Sequence, residues 1–287
     1  MRPTESPELL RGHRIVICGA RGTLATVFAD HALRAGARLA LVDLSPRGTD
    51  PSDSFWVYAD VTDIDQLDQA IGTAWERLGG IDTLVNFAGV HHRPYTLDTD
   101  DPQFLLDDFR RVVDVNLTGA FAATVVAARR MVPAKAGHII HLCSNGSRVS
   151  LYGSYAYNAS KHGVEGVIKS AAAQLAPFGV RVNGIAPGTV VTDLNRSLLY
   201  DENGEVRSRA RSILSHTPTK RFATPEGVAE SLIALCIPQR HLTGNVLFAD
   251  DGYNIEGHTW PEGNDALYRG TEDLEDLLRE TTGERSW

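Results

Sequence analysis

The feature that most constrains the fold is an alternation of short apolar, β-rich runs with amphipathic helical stretches along most of the chain. RIVIC (14–18), RLALVD (38–43), Phe55 to Asp60, IDTLVNFAG (81–89), HIIHLCS (138–144), VRVNGIAPG (180–188) and NVLFADDG (245–252) read as strands. Helical stretches run from about Gly22 to Ala35, Ile64 to Arg77, Asp107 to Met131, and through Tyr157 to about Ala176. Thr224-Pro225-Glu226 opens another, with an N-capping Thr followed by Pro in the first turn. Continuously apolar strands joined through helices imply a parallel sheet covered on both faces. The expected class is therefore α/β, a doubly wound sheet of about seven parallel strands with helices on both faces. One domain is expected over residues 1–255, followed by an acidic C-terminal extension, 256–287, in which Leu274, Leu277 and Leu278 allow one short amphipathic helix. A polar segment at about 189–222 interrupts the rhythm, and a loop this long in a compact domain usually serves function.

Charge and composition narrow the function classes. A chain with 43% hydrophobic and 22% charged residues suits a soluble globular protein. A net charge of −8 opposes binding to a phosphate backbone, so nucleic acid is not an expected partner. No apolar run approaches the roughly 20 residues of a membrane span, and MRPTESPELLRGHR lacks the apolar stretch of a signal peptide. No membrane partner and a cytoplasmic location are expected. Cys18, Cys143 and Cys236 follow no metal-ligand spacing, and the first two lie in apolar runs as buried small side chains. His91 and His92 are adjacent and so aim apart, with no Cys, Asp or Glu cluster to complete a metal site. Both read as loop-surface histidines, and no metal is expected.

Tyr157 and Lys161, four apart on one helix, project from the same face. An ammonium beside a phenol favours the phenolate and lowers its pKa from about 10. Such a phenol can exchange a proton with a substrate oxygen near neutral pH. Ser144, at a strand end upstream, could hold that same oxygen. Three groups converging on one oxygen point to carbonyl/alcohol chemistry, although a surface Tyr and Lys with an unrelated Ser would look alike in isolation.

Gly19-Ala20-Arg21-Gly22 follows the first strand and opens a helix. This is the setting of a dinucleotide-binding, Rossmann-type fingerprint, in which glycines let a pyrophosphate approach the backbone and the helix N-terminus. Asp43 ends the second strand, where a carboxylate accepts hydrogen bonds from the adenosine ribose and repels a 2′-phosphate, favouring NAD over NADP. Arg21 and Arg47 pull the other way. Asp60-Val61 ends the third strand, either to read the adenine ring or to supply an acid at a helix start. Asn86-Phe87-Ala88-Gly89 ends the fourth.

In chain order these elements, with Asn116, Ser144, Tyr157/Lys161, Asn183 and Pro187-Gly188, resemble the short-chain dehydrogenase/reductase family over roughly residues 12–253. The resemblance implies that Tyr157 is the acid/base, that Lys161 lowers its pKa and binds the nicotinamide ribose, and that Ser144 orients the reacting oxygen. It implies that Asn116 holds a water linking Lys161 to solvent. Gly19, Arg21, Gly22, Thr23 and Leu24 would flank the pyrophosphate, with Asp43, Asp60, Val61, Asn86, Ala88 and Gly89 toward the adenosine half. Pro187, Gly188 and Val190 would contact the nicotinamide, with Thr192 near its carboxamide or the phosphates. A homotetramer or dimer through the long helices is implied as well.

Departures from the family pattern are Thr23 and Ala25 in place of two glycines, Phe87 in place of a second Asn, and Asp251-Gly252-Tyr253 without the usual second Gly. The segment Asn195 to Gly204, with His216-Thr217-Pro218 and Arg221-Phe222, resembles the substrate loop of D-mannonate (fructuronate) oxidoreductases. That implies a polyhydroxylated substrate such as a sugar acid, polyol or cyclitol, with Asn145, Arg148, Tyr152 and Asn195 lining its pocket. Arg196 could pair a carboxylate bidentately or be an ordinary surface Arg. The expected activity is NAD(H)-dependent interconversion of a secondary alcohol and a ketone. The alternatives are a tailoring ketoreductase on a less polar metabolite and a redox-inactive nucleotide-binding sensor.

Overall fold

The computed structural model describes residues 8–45, 53–91, 97–98, 100–149, 153–192, 195–238 and 241–255. Arg47, His92, Tyr152 and the C-terminal extension lie outside the described residues. Seven strands, β1 (Arg14–Cys18), β2 (Arg38–Asp43), β3 (Ser54–Tyr58), β4 (Thr83–Asn86), β5 (Gly137–Leu142), β6 (Val180–Pro187) and β7 (Val246–Ala249), form one parallel sheet in the order β3-β2-β1-β4-β5-β6-β7. The strand order reverses between β1 and β4, the switch point where such sheets open a crevice at their carboxyl ends.

Helices α1 (Thr23–Arg34), α2 (Ile64–Leu78), α3 (Pro102–Val113), α4 (Gly119–Ala134), α5 (Tyr155–Leu175), α6 (Arg196–Leu199), α7 (Ser208–His216) and α8 (Pro225–Cys236) connect the strands. Each inner strand buries both of its faces. Ile15, Ile17, Leu39 and Leu41 pack with residues of α1 and α8 around Phe28. Val16, Cys18, Ala40 and Val42 point the other way, into a layer supplied by α2, α4 and α5. Two-sided burial is why these strands read as continuous apolar runs rather than as an alternating pattern.

Two boundaries differ from the sequence reading. The helix expected from Asp107 begins at Pro102, because Asp101 caps it by accepting from the Phe104 N–H at 2.9 Å, with Pro in the first turn. It continues to Ala134 through a π-helical segment, Asp114–Thr118, which separates α3 from α4. By length and composition this 33-residue stretch is apolar enough to cross a membrane, but half of its most apolar window is buried within the domain. It is a core helix of the sheet. At the start of α2, Asp63 rather than Asp60 is the cap, accepting from the N–H groups of Asp65 and Gln66 at 3.1 and 3.0 Å. Asp60 instead accepts from the N–H and hydroxyl of Thr62, at 2.9 and 2.8 Å, bracing the turn that precedes the helix.

The inner strand β5 carries two buried histidines on opposite faces. His141 lies 2.8 Å from the Thr124 hydroxyl, which itself donates to the Ala120 carbonyl at 2.9 Å. His141 therefore donates through Nε2, and burial, reinforced by the Lys161 charge, pushes its pKa down to about 4. His138 accepts from the Asn183 amide at 2.9 Å, and burial holds its pKa well below the usual histidine value. An unfolded histidine takes up its proton near pH 6.5, whereas these two resist it, so the unfolded state binds more protons in mild acid. Stability is thus expected to be complete above about pH 6.5 and to fall below it, His141 accounting for a loss on the order of 3 kcal/mol by about pH 4. Thermal melts from pH 7 to 4.5 check this: His141→Gln should flatten the acid limb, and an unchanged slope would refute the assignment.

Candidate active site

The β1–α1 turn passes directly over the end of β4. Gly19 has φ +73°, and a Cβ on it would lie 2.5 Å from the Ala88 nitrogen, so a side chain here collides with backbone. Gly22 then enters α1 in extended conformation and no side chain caps that helix. By contrast, α2, α3 and α8 are capped by Asp63, Asp101 and Thr224. The open first turn of α1, with Arg21, Gly22, Thr23 and Leu24, lines a cavity of about 610 Å³. Unsatisfied N–H groups at a helix N-terminus suit a phosphate oxygen, so the residues present fit a dinucleotide's pyrophosphate. The two replaced glycines cause no obstruction within the fold: Ala25 is buried in the α1 layer and Thr23 is exposed. Phe87, in place of a polar residue, packs its ring 5.7 Å from that of Phe28 and seals the same layer.

Asp43 sits beside this turn. Its carboxylate accepts from the Arg21 N–H at 2.9 Å and the Leu44 N–H at 2.8 Å, while the Arg21 guanidinium bonds the Ser45 hydroxyl. Asp43, Asp60, Val61, Asn86 and Ala88 are not among the residues lining the cavity. Asn86 accepts from the Ala88 N–H at 3.1 Å and shapes the turn after β4, and Val61 is buried against Gly119 of α4. Gly89, Pro187, Gly188, Val190 and Thr192 do line the cavity.

The far end of the same cavity is lined by Ser144, Asn145, Tyr157 and Lys161. Lys161 is buried, donates to the Leu142 carbonyl at 2.7 Å and holds its Nζ 5.6 Å from the Tyr157 ring centre. Ser144 follows β5 in extended conformation, accepting from the Gly146 N–H at 3.1 Å and donating to the Asn145 side-chain oxygen Oδ1 at 3.0 Å. Asn116, in the π-helical segment, is buried and brackets Val90. It accepts from the Val90 N–H at 2.7 Å and donates to the Val90 carbonyl at 3.0 Å and to the Ser160 hydroxyl at 3.1 Å. A Cβ on Gly89 would lie 3.3 Å from Asn116 Oδ1 and 3.8 Å from Lys161 Nζ, which places both polar groups around one small space. A phenol, an ammonium and a hydroxyl thus share one cavity with an anion-binding helix end. That set can hold and protonate a carbonyl oxygen beside a dinucleotide.

Other expected members fall differently. Asn195 lines the cavity, but its amide is spent on the loop, donating to the Val190 carbonyl at 2.8 Å and accepting from the Thr192 N–H at 2.9 Å. Arg196 is exposed, with its guanidinium 5.9 Å from the Tyr200 ring centre, and is not a cavity-lining residue. Arg148 pairs with buried Glu165 at 3.1 Å. Tyr152 lies outside the described residues. Cys143 reaches the cavity wall, but burial pushes its thiol up to about 12, as it does for Cys18 and Cys236. His91 overturns the loop-surface reading. Its ring stacks on Tyr157, centroids 4.4 Å apart and planes 14° from parallel, and it lines the cavity. The available signal was its place two residues beyond Gly89, at the carboxyl end of a strand next to the switch point.

Comparisons with known proteins agree with this geometry. The family model described as "Enoyl-(Acyl carrier protein) reductase" matches residues 19–254. Xanthoxin dehydrogenase of Arabidopsis thaliana is 30% identical over 274 residues, covering 89% of this chain and 94% of that protein. The mitochondrial borneol dehydrogenase of Lavandula x intermedia is 31% identical over 252 residues, covering 86% and 92%. The crystal structure of levodione reductase superposes with a TM-score of 0.78 at 25% identity, over 86% of this chain and all (100%) of its own. With the sheet order and the cavity, these matches establish that the chain belongs to the short-chain dehydrogenase/reductase family and is an NAD(P)-dependent oxidoreductase.

Proposed function

We propose that this protein interconverts a secondary alcohol and its ketone with NAD(H), on a substrate of low polarity. The observation that carries the chemistry is the shared cavity of Ser144, Tyr157 and Lys161. Bound nicotinamide supplies or accepts the hydride. Tyr157 gives its proton to the carbonyl oxygen in reduction and takes it from the hydroxyl in oxidation. The buried Lys161 ammonium, steered by the Leu142 carbonyl, meets the negative charge left on the phenol. Ser144 holds the reacting oxygen, and Asn116 fixes the Val90 backbone at the edge of the site. A redox-inactive sensor would have no use for these groups in one place.

The preference for NAD rests on Asp43, whose carboxylate two backbone N–H groups fix beside the nucleotide turn. A 2′-phosphate would meet like charge there. The low-polarity substrate rests on what the cavity leaves open. A sugar acid calls for a cation and free hydrogen-bonding groups, yet Arg196 lies over Tyr200 and the Asn195 amide is occupied. Among the described lining residues, Phe87, Val90, Leu142 and Val190 supply apolar wall. Three buried, unpaired thiols suit a reducing cytoplasm. Association into a dimer or tetramer would cover Phe121 of α4 and Tyr155 of α5, which are 57% and 38% exposed.

Purified protein offered NADH with levodione, and NAD with borneol or gluconate, tests the reading. Tyr157→Phe should lower kcat by at least about 10²-fold, the usual contribution of a general acid. NADH should exceed NADPH in kcat/KM by about tenfold, and Asp43→Ala should narrow that ratio. Turnover untouched by Tyr157→Phe would overturn the mechanism, and gluconate as the best substrate would overturn the polarity argument. Gly19→Ala, which drives a Cβ into the Ala88 backbone, should weaken NADH binding by at least about tenfold in a fluorescence titration.

A further inference from the structure

We propose that His91 is a positioning residue for proton transfer: its imidazole fixes the plane of the Tyr157 phenol, and α3 holds it there through Arg111 and Asp108. The inference rests on the reading of Tyr157 as the acid/base. Helix α5 fixes the Tyr157 Cα, but the last torsion of a phenol is broad and leaves the ring free to rock. A near-parallel ring, with centroids 4.4 Å apart, removes that freedom on one face.

The imidazole must then be held in turn, and the loop after β4 is latched at two successive residues. Asn116 takes both the N–H and the carbonyl of Val90. Arg111 Nη2 donates to the His91 carbonyl at 2.9 Å and to Asp108 Oδ1 at 2.8 Å, while its Nε donates to the same carboxylate oxygen at 3.2 Å. The Asp108 side chain is only 4% exposed, so the guanidinium is anchored from within the domain. Arg111 and Asn116 stand on either side of the start of the π-helical segment. One continuous helical stretch therefore grips the loop from within that irregular turn and from the turn before it, and delivers the imidazole onto the phenol.

Three variants test this, with NADH-linked reduction of levodione as the assay and NADH fluorescence titration as the binding control. His91→Ala should lower kcat about tenfold, the scale expected when a reacting group is slightly misplaced, and leave the NADH Kd within about twofold. His91→Phe, which restores a ring without its nitrogens, should recover at least about threefold of that loss. Arg111→Met should reproduce part of the loss and add nothing when combined with His91→Ala, since both act through one contact. Fluorotyrosine placed at position 157 gives a readout independent of substrate. Its fluorine resonance should move in His91→Ala and return toward the parent position in His91→Phe. An unmoved resonance, unchanged kcat in His91→Ala, or His91→Phe as impaired as His91→Ala would each overturn the proposal. Where Tyr157→Phe abolishes turnover and His91→Ala leaves it intact, positioning alone fails. Where Tyr157→Phe leaves turnover intact, the acid/base reading itself fails.

Discussion

Asn116 spends its whole side-chain amide on neighbours that are distant in sequence, and the site is assembled around that commitment. Its oxygen and nitrogen close on the two backbone groups of Val90, and the nitrogen also reaches the Ser160 hydroxyl, which donates to the Tyr157 carbonyl at 2.8 Å. The carboxyl end of β4, the long helix and α5 thus meet at one buried group. Losing such a residue strands part-buried donors and acceptors at a cost of about 1–3 kcal/mol each. Asn116 makes this bracket from within a π-helical turn, where it is buried.

Much of this architecture is legible from residues alone because the same physics writes both. Strands buried on two faces are largely apolar, so β1, β2, β5 and β6 announce themselves. A carboxylate or hydroxyl before an apolar-periodic run marks a helix start, which locates α8 at Thr224. Tyr157 and Lys161 were legible because helical spacing alone puts them on one face. Ser144 and Gly19 were legible because strand ends next to the switch point are where ligands bind.

The remainder turns on contacts that the apolar pattern does not encode. Arg196 reads as a carboxylate clamp or a surface residue with equal ease, and Tyr200, four residues on, decides its direction in the fold. The start of α3 is marked by Asp101-Pro102, but Phe104, Leu105 and Leu106 are consecutive and Leu106 is exposed, so the first turn shows no one-sided apolar period. His91 is the clearest case. Nothing in the sequence around Val90 and His91 reveals a guanidinium from α3 on the His91 carbonyl, and without that anchor a histidine after a glycine turn belongs to the solvent.

The Phe28–Phe87 contact has a consequence for how this chain can diverge. An amide at position 87 would bring a polar group against a ring that offers it no partner, while a smaller residue at 28 would leave Phe87 facing a void. Neither position can drift alone without a loss of packing. Descendants of this chain should therefore keep both aromatics or exchange them jointly, a linked inheritance that ties the lining of the nucleotide crevice to the interior face of the first helix.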